Sequence, residues 1–170
     1  MTRTYSAFSI ALISLCFSLL LQERTFAQES NFIQPGIGVG NLKLGEDIKK
    51  INNKINIKYD EIKKVGQEVN SEMWLSYKKI GLTLVYDYER KTLKKIIVTN
   101  KALLVENSKI SVGSSITDLR QYKNSHEDKA LVYDKDPIRK NIEGWDFVYL
   151  GIKFWINWND QRIFAIEVKR

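Results

Sequence analysis

The sequence predicts an α+β fold of two tandem units, each a short helix packed on a small antiparallel sheet with a closing β-hairpin. Two local matches and their shared order predict it. Gly81 to Val98, GLTLVYDYERKTLKKIIV, returns seventy residues on as Gly151 to Val168, GIKFWINWNDQRIFAIEV, with no gap. Each copy is an alternating apolar run, a polar turn and a second apolar run, which is the pattern of a β-hairpin. Upstream, LKLGEDIKKI at 42–51 matches ISVGSSITDL at 110–119, so that Gly45 falls on Gly113, Ile48 on Ile116 and Ile51 on Leu119. Two matches in the same order at nearly the same offset mark a duplication.

Taken from the start, residues 1–27 read as a signal peptide. Arg3 supplies the positive end, Ala7 to Leu21 is almost wholly apolar or small, and Thr25-Phe-Ala27 gives small residues for cleavage after Ala27. The apolar run is short for a membrane span, so no stable span is expected once it is removed. Cys16 is the only cysteine. It stands inside the apolar run after Leu15, which does not fit a lipoprotein signal. Residues 28–170 then hold no disulfide and no thiolate metal site, and their core alone must stabilise them. The expected location is secreted or periplasmic.

Residues 28–34 read as a disordered lead, 35–100 as the first unit, and 101–170 as a connector with the second unit. In the first, Ile37, Val39, Leu42 and Leu44 alternate with glycine or polar residues as short extended runs. Glu46-Asp47 opens a helix running to about Lys54, with Ile48, Ile51 and Ile55 as its apolar stripe. Ile57 and Tyr59 mark a further short element, and Met73 to Tyr77 is a strand before the Gly81 hairpin. In the second unit Ser114 is the expected N-cap, with Ile116, Leu119 and Tyr122 buried. Ala130 to Tyr133 and Trp145 to Tyr149 are the expected strands. Leu103-Leu-Val105 is too apolar for a free linker and should pack.

Alternation assigns the hairpin faces. Leu82, Leu84 and Tyr86 share one face with Ile152, Phe154 and Ile156 in the second copy. Val85, Lys153 and Trp155 point the other way. A sheet with helices on one side leaves that second face open. Trp155 is then either covered by the Leu103-Leu-Val105 connector or the other unit, or exposed to solvent as an aromatic anchor. On the second reading Trp155, with Lys153 and Val85, is the candidate binding site for a protein or envelope partner. Oligomeric state is not legible.

Other chemistry finds little support. The net charge is +7, but the basic residues are dispersed as pairs, which argues for solvated faces and against nucleic acid. Gly36-x-Gly38-x-Gly40 lacks the Lys-Ser/Thr of a phosphate loop. His126 is the sole histidine, in a polar stretch expected to be exposed, and no serine has an elbow motif. No metal site and no cofactor are expected. Asp134-x-Asp136 lacks the glycine and closing glutamate of a calcium loop. The alternative function is a hydrolase acting on a glycan or other envelope substrate with loop carboxylates, drawn from Asp60, Glu61, Glu127, Asp128, Asp134 and Asp136.

The opening at 110–119, with its twin at 42–48, and the closing run at 151–168 together resemble the β-lactamase-inhibitor-protein-like superfamily. That group includes tandem-repeat β-lactamase inhibitors and small outer-membrane assembly lipoproteins of the SmpA/OmlA type. The resemblance implies short helices packed on small antiparallel sheets. The tandem inhibitors carry disulfides and the lipoproteins a lipobox. Residues 28–170 have neither, so the resemblance carries over no binding residue.

Overall fold

Both expected hairpins form in the computed structural model, which describes residues 32–66, 71–126, 131–136 and 139–170. Strands β1 (Phe32–Gln34), β2 (Gly38–Val39) and β3 (Leu42–Lys43) lead to helix α1 (Ile48–Ile55). Strands β4 (Glu61–Val65), β5 (Glu72–Tyr77), β6 (Leu82–Asp87) and β7 (Leu93–Val98) follow. After β8 (Leu104–Val105) comes helix α2 (Ile116–Ser125), then β9 (Leu131–Lys135), β10 (Ile142–Phe147), β11 (Ile152–Asn157) and β12 (Arg162–Lys169). The fold is α+β and mostly antiparallel sheet. The expected signal peptide and its cleavage site at Ala27 lie outside the described residues.

The hairpins do not close two separate small sheets, as the sequence suggested. They join in one eight-stranded sheet, ordered β4-β5-β6-β7-β12-β11-β10-β9. The joint is antiparallel, with Ile96 opposite Val168, Ile97 opposite Glu167 and Val98 opposite Ile166. A second, four-stranded sheet, β3-β2-β1-β8, holds the parallel pair β1–β8. Phe32–Gln34 is thus a strand and not the end of a disordered lead. Ile33 is fully buried opposite Val105, because the connector Leu103-Leu-Val105 packs as expected and offers it a partner.

One core serves the described residues. Ile51 and Ile55 of α1, and Ile116, Leu119 and Tyr122 of α2, cluster with Leu84, Tyr86, Ile96, Phe154, Ile156 and Val168 of the large sheet. The helices start later than their sequence signals. Asp47, not Glu46, caps α1, accepting from the Lys49 amide at 2.7 Å. Ser115, not Ser114, caps α2 in a capping box with Asp118. Glu46 instead takes the ammonium of Lys54 at 2.6 Å. β4 falls at 61–65 rather than at Ile57 and Tyr59.

Each helix is latched to the tip of a hairpin by the backbone. The Gly45 amide donates to the Leu93 carbonyl and the Ile48 amide to Lys91. In the other half Gly113 donates to Ile163 and Ile116 to Gln161, at matching distances of 2.7 and 2.9 Å. Lys91 and Gln161 both take positive φ, 56° and 54°, to present those carbonyls. A bulge interrupts β6–β7 between Val85 and Tyr86, and β11–β12 between Trp155 and Ile156.

Two glycines separate backbone conformation from packing. Both Gly113 and Gly151 have positive φ, 98° and 65°. A Cβ on Gly113 meets nothing nearer than Lys101 Cδ at 3.8 Å, whereas one on Gly151 strikes the Lys169 carbonyl and comes within 2.7 Å of Gly36 Cα. Gly113→Ala is therefore expected to cost about 1 kcal/mol in backbone strain. Gly151→Ala should cost about 3 kcal/mol or more, because backbone must move as well. Urea unfolding of the two variants checks the order, and equal midpoints would contradict it.

Candidate functional site

The second face of the large sheet is built by alternation along each strand, shifted by one residue at the two bulges, where Lys94 and Phe164 are the extra residues. Thr83, Val85, Lys95, Ile97, Lys153, Trp155, Ala165 and Glu167 point away from the helices, joined from the neighbouring strands by Trp74, Ser76, Ile142, Gly144 and Asp146. Val85, Ile142 and Ala165 are buried yet stand outside the core cluster. Among the described residues no helix or strand covers this face.

The three residues singled out from sequence fare differently here. Trp155 is partly exposed. Val85 is fully buried and Lys153 is only 7% exposed, so neither meets solvent as expected. The reasons are local. Directly across the ladder from Val85 stands Trp74, whose large side chain shelters the small one. Lys153 lies 4.2 Å from the centre of the Trp155 ring and ion-pairs with Asp134. Its stem runs along the sheet, and its charge is held between a carboxylate and an indole.

Trp155 has room because its cross-strand neighbour is Gly144. A Cβ there would come within 2.5 Å of Lys153 Cε and 3.1 Å of the indole. The two halves thus fill the same ladder position in opposite ways, Trp74 against Val85 and Gly144 against Trp155. Sequence reasoning missed Trp74. The signal lay in extending the seventy-residue match backwards, which sets Trp74 on Gly144.

Charge on the face is held in pairs. Glu72 receives Lys94 at 3.2 Å and the Trp74 indole N–H at 3.1 Å, with Lys95 at 3.6 Å. Burial alone would raise the Glu72 carboxyl, but these cations and the indole outweigh it and hold the carboxyl below the usual carboxylate range. Lys169 pairs with Asp146, the Trp155 indole donates to Glu167 at 3.4 Å, and Arg139 lies 5.6 Å over the Phe164 ring.

The carboxylates considered for hydrolysis are not gathered. Asp60 accepts from the Lys78 amide and Glu61 pairs with the Lys78 ammonium. Asp134 is held by Lys153, and Asp136 by the guanidinium of Arg139 at 2.7 and 3.0 Å. Glu127 and Asp128 lie outside the described residues. Among the described residues no three His, Cys, Asp or Glu side chains stand close enough to hold a metal ion. No helix among them is long and apolar enough to cross a membrane.

His126 is not an exposed loop residue. It ends α2 and stacks on Tyr122, 4.1 Å between ring centres. It borders a cleft of about 460 Å³ with Ser108, Ile110, Asp118 and Ser125. Ser125 and His126 do touch, Oγ to Nδ1 at 3.0 Å. But the Ser125 hydroxyl donates to the Tyr122 carbonyl at 2.8 Å and His126 Nδ1 lies 2.9 Å from that same oxygen, so the serine proton is directed to the carbonyl and not to the imidazole. Asp118 is engaged by Ser115 at the far end of the helix.

No protein-family model matches the chain, and no curated protein does. The resemblance to the β-lactamase-inhibitor-protein-like superfamily is thus not confirmed by any family, curated-protein or solved-structure match. Among solved structures the fold is similar to that of the uncharacterized protein YfeY from Escherichia coli. The TM-score is 0.56 at 10% identity, over 79% of this chain and 97% of that one. Weaker likenesses extend to an extracellular protein with an SCP domain from Bacillus anthracis, TM-score 0.46 at 7% identity, over 74% of this chain and 43% of that one. A cysteine-rich secretory protein from Staphylococcus aureus gives 0.47 at 14%, over 83% and 48%. At 10% identity the YfeY match shows a shared fold and nothing of activity.

Two outcomes follow for this face. Gly144→Trp alone should overpack it, costing about 2 kcal/mol, and Trp155→Val alone should lose buried ring area. The double variant reproduces the Trp74–Val85 arrangement, so its cost should fall short of the sum by more than about 1 kcal/mol in denaturant unfolding. Strict additivity would refute the pairing. The depressed Glu72 carboxyl gives stability that is present above its unfolded value, about pH 4.3, and lost as pH falls through its lower folded value. Wild type should exceed Glu72→Gln in stability at pH 7, and the gap should close on acidification below pH 4. A gap that widens in acid would show the opposite sign.

Proposed function

We propose that the chain is a non-catalytic binding module, secreted or periplasmic, that engages a protein or envelope component through the open face of its large sheet. The observation that supports this reading best is the pair of partly buried indoles on a face that no described element covers, Trp74 and Trp155, with Ile97 between the halves. Aromatic side chains of this kind are the usual anchors of an interface. Trp155 is the central contact. Lys153 acts from beneath it by fixing the indole, and Val85 is the floor on which Trp74 rests.

The module is a duplicated unit on this reading. The matched latch bonds, the positive φ at Lys91 and Gln161, and the bulges after Val85 and Trp155 all recur at the sequence offset. The β7–β12 joint also has the register of a pseudo-two-fold axis through Ile97 and Glu167. The two copies then present one shared face with different rings.

The test is capture by cross-linking from native envelope, with residues 28–170 as bait. The wild type should retain a partner that Trp74→Ala/Trp155→Ala loses at least about tenfold, equivalent to 1.4 kcal/mol. Tyr149→Ala, which removes a side chain that is 80% exposed on the turn between β10 and β11, should keep it. Equal retention by all three baits, or no captured partner, would overturn the reading.

A further inference from the structure

The two ends of the large sheet are not equivalent. β4 ends it on one side and β9 on the other. β4 carries Lys63 and Lys64 side by side, a pattern that discourages pairing with another strand. β9 reads Leu-Val-Tyr-Asp-Lys, has no net charge, and leaves Val132 and Tyr133 exposed by 45% and 49%. Among the described residues this edge carries one cation of its own, Lys135, and the Lys123 ammonium meets the Tyr133 hydroxyl at 2.9 Å. It is less guarded by charge than β4 but not bare.

The direction of its free backbone groups follows from the ladder. The Asp136 amide donates to the Ile142 carbonyl of β10. By alternation Asp134 and Val132 also turn their N–H and C=O toward β10, paired with Gly144 and Asp146. Leu131, Tyr133 and Lys135 therefore turn theirs outward. A second copy of the same strand, laid antiparallel about a two-fold axis at Tyr133, sets Tyr133 against Tyr133 and Leu131 against Lys135. Every outward donor then meets an outward acceptor, giving about six backbone hydrogen bonds. The same operation on β4 would bring Lys63 against Lys63, where like charges oppose pairing.

We propose that β9 is a homodimerisation edge, through which two copies of this chain join antiparallel about Tyr133 into one continuous sheet. The interface is isologous and closes on itself, so it yields a dimer and not a fibre. It does not depend on the open-face reading above. It would, however, align the open faces of both copies on one side of the extended sheet.

Sedimentation velocity on residues 28–170 at tens of micromolar tests this. The wild type should sediment with twice the mass of one chain. Tyr133→Pro deletes an outward N–H and no bond to β10, so it should retain the wild-type circular dichroism and sediment as a monomer. Tyr133→Lys puts like charges on the axis and should shift dissociation at least about tenfold; it decides the matter should the proline variant not fold. Lys64→Glu on the opposite edge should leave the mass unchanged. A monomeric wild type overturns the proposal, as does a dimer that persists in both Tyr133 variants.

Discussion

Everything in the large sheet depends on the antiparallel joint between β7 and β12. Ile96, Val98, Ile166 and Val168 are the residues it brings together, and all four are fully buried. Separately, each hairpin would expose an apolar strand with unpaired backbone, which is costly and prone to wrong pairing. Joined, they give eight strands of one twist and one continuous apolar face. That face is large enough to bury both helices and the small sheet without a disulfide, as a chain whose one cysteine is Cys16 requires. The pairing also determines the outer face, since Ile97 and Glu167 meet there at its centre.

The latches show why the glycine-and-helix opening and the hairpin travel together in the sequence. Gly45 and Gly113 adopt positive φ, 86° and 98°, and hand their amides to the hairpin. The first helical amide, from Ile48 or Ile116, is then taken by a carbonyl at the hairpin tip. This satisfies a donor that would otherwise be an orphan of the helix N-terminus. The latch fixes where each short helix starts against its hairpin, and the glycine-helix opening and the hairpin it joins are each short enough to be visible as motifs. That is why hairpins and helix stripes could be read from the sequence, while the cap of α2 slipped by one residue. Ser114 and Ser115 are chemically identical as caps, and only geometry separates them.

What could not be read is non-local. β1 pairs in parallel with β8 across some seventy residues, Ile33 against Val105, and no short-range pattern announces such a contact. β4, EIKKV, has too few apolar residues to signal a strand, and as an edge strand it is exposed throughout. The candidate site was half legible for the same reason. Alternation placed Val85, Lys153 and Trp155 on the outer face correctly, but exposure is decided by cross-strand neighbours. Trp74 buries Val85, and Gly144 lets Lys153 lie down beside Trp155. Face is a property of one strand; exposure is a property of two.

The pairing of charges limits what the outer face can recognise. Lys153, Lys169, Lys94 and Lys95 sit beside Asp134, Asp146 and Glu72, and the indole N–H groups of Trp74 and Trp155 are spent on Glu72 and Glu167. A ligand that relied on these cations would first have to break ion pairs in a partly dry setting, which costs more than an exposed pair returns. The dispersed positive charge of the whole chain therefore says little about what this face could bind. What the face offers without prior cost is ring surface held rigid from below, and rigid rings lose little entropy on contact. On the proposed reading, a partner for this face would contribute apolar or flat surface to the rings, with charge serving only to orient the approach.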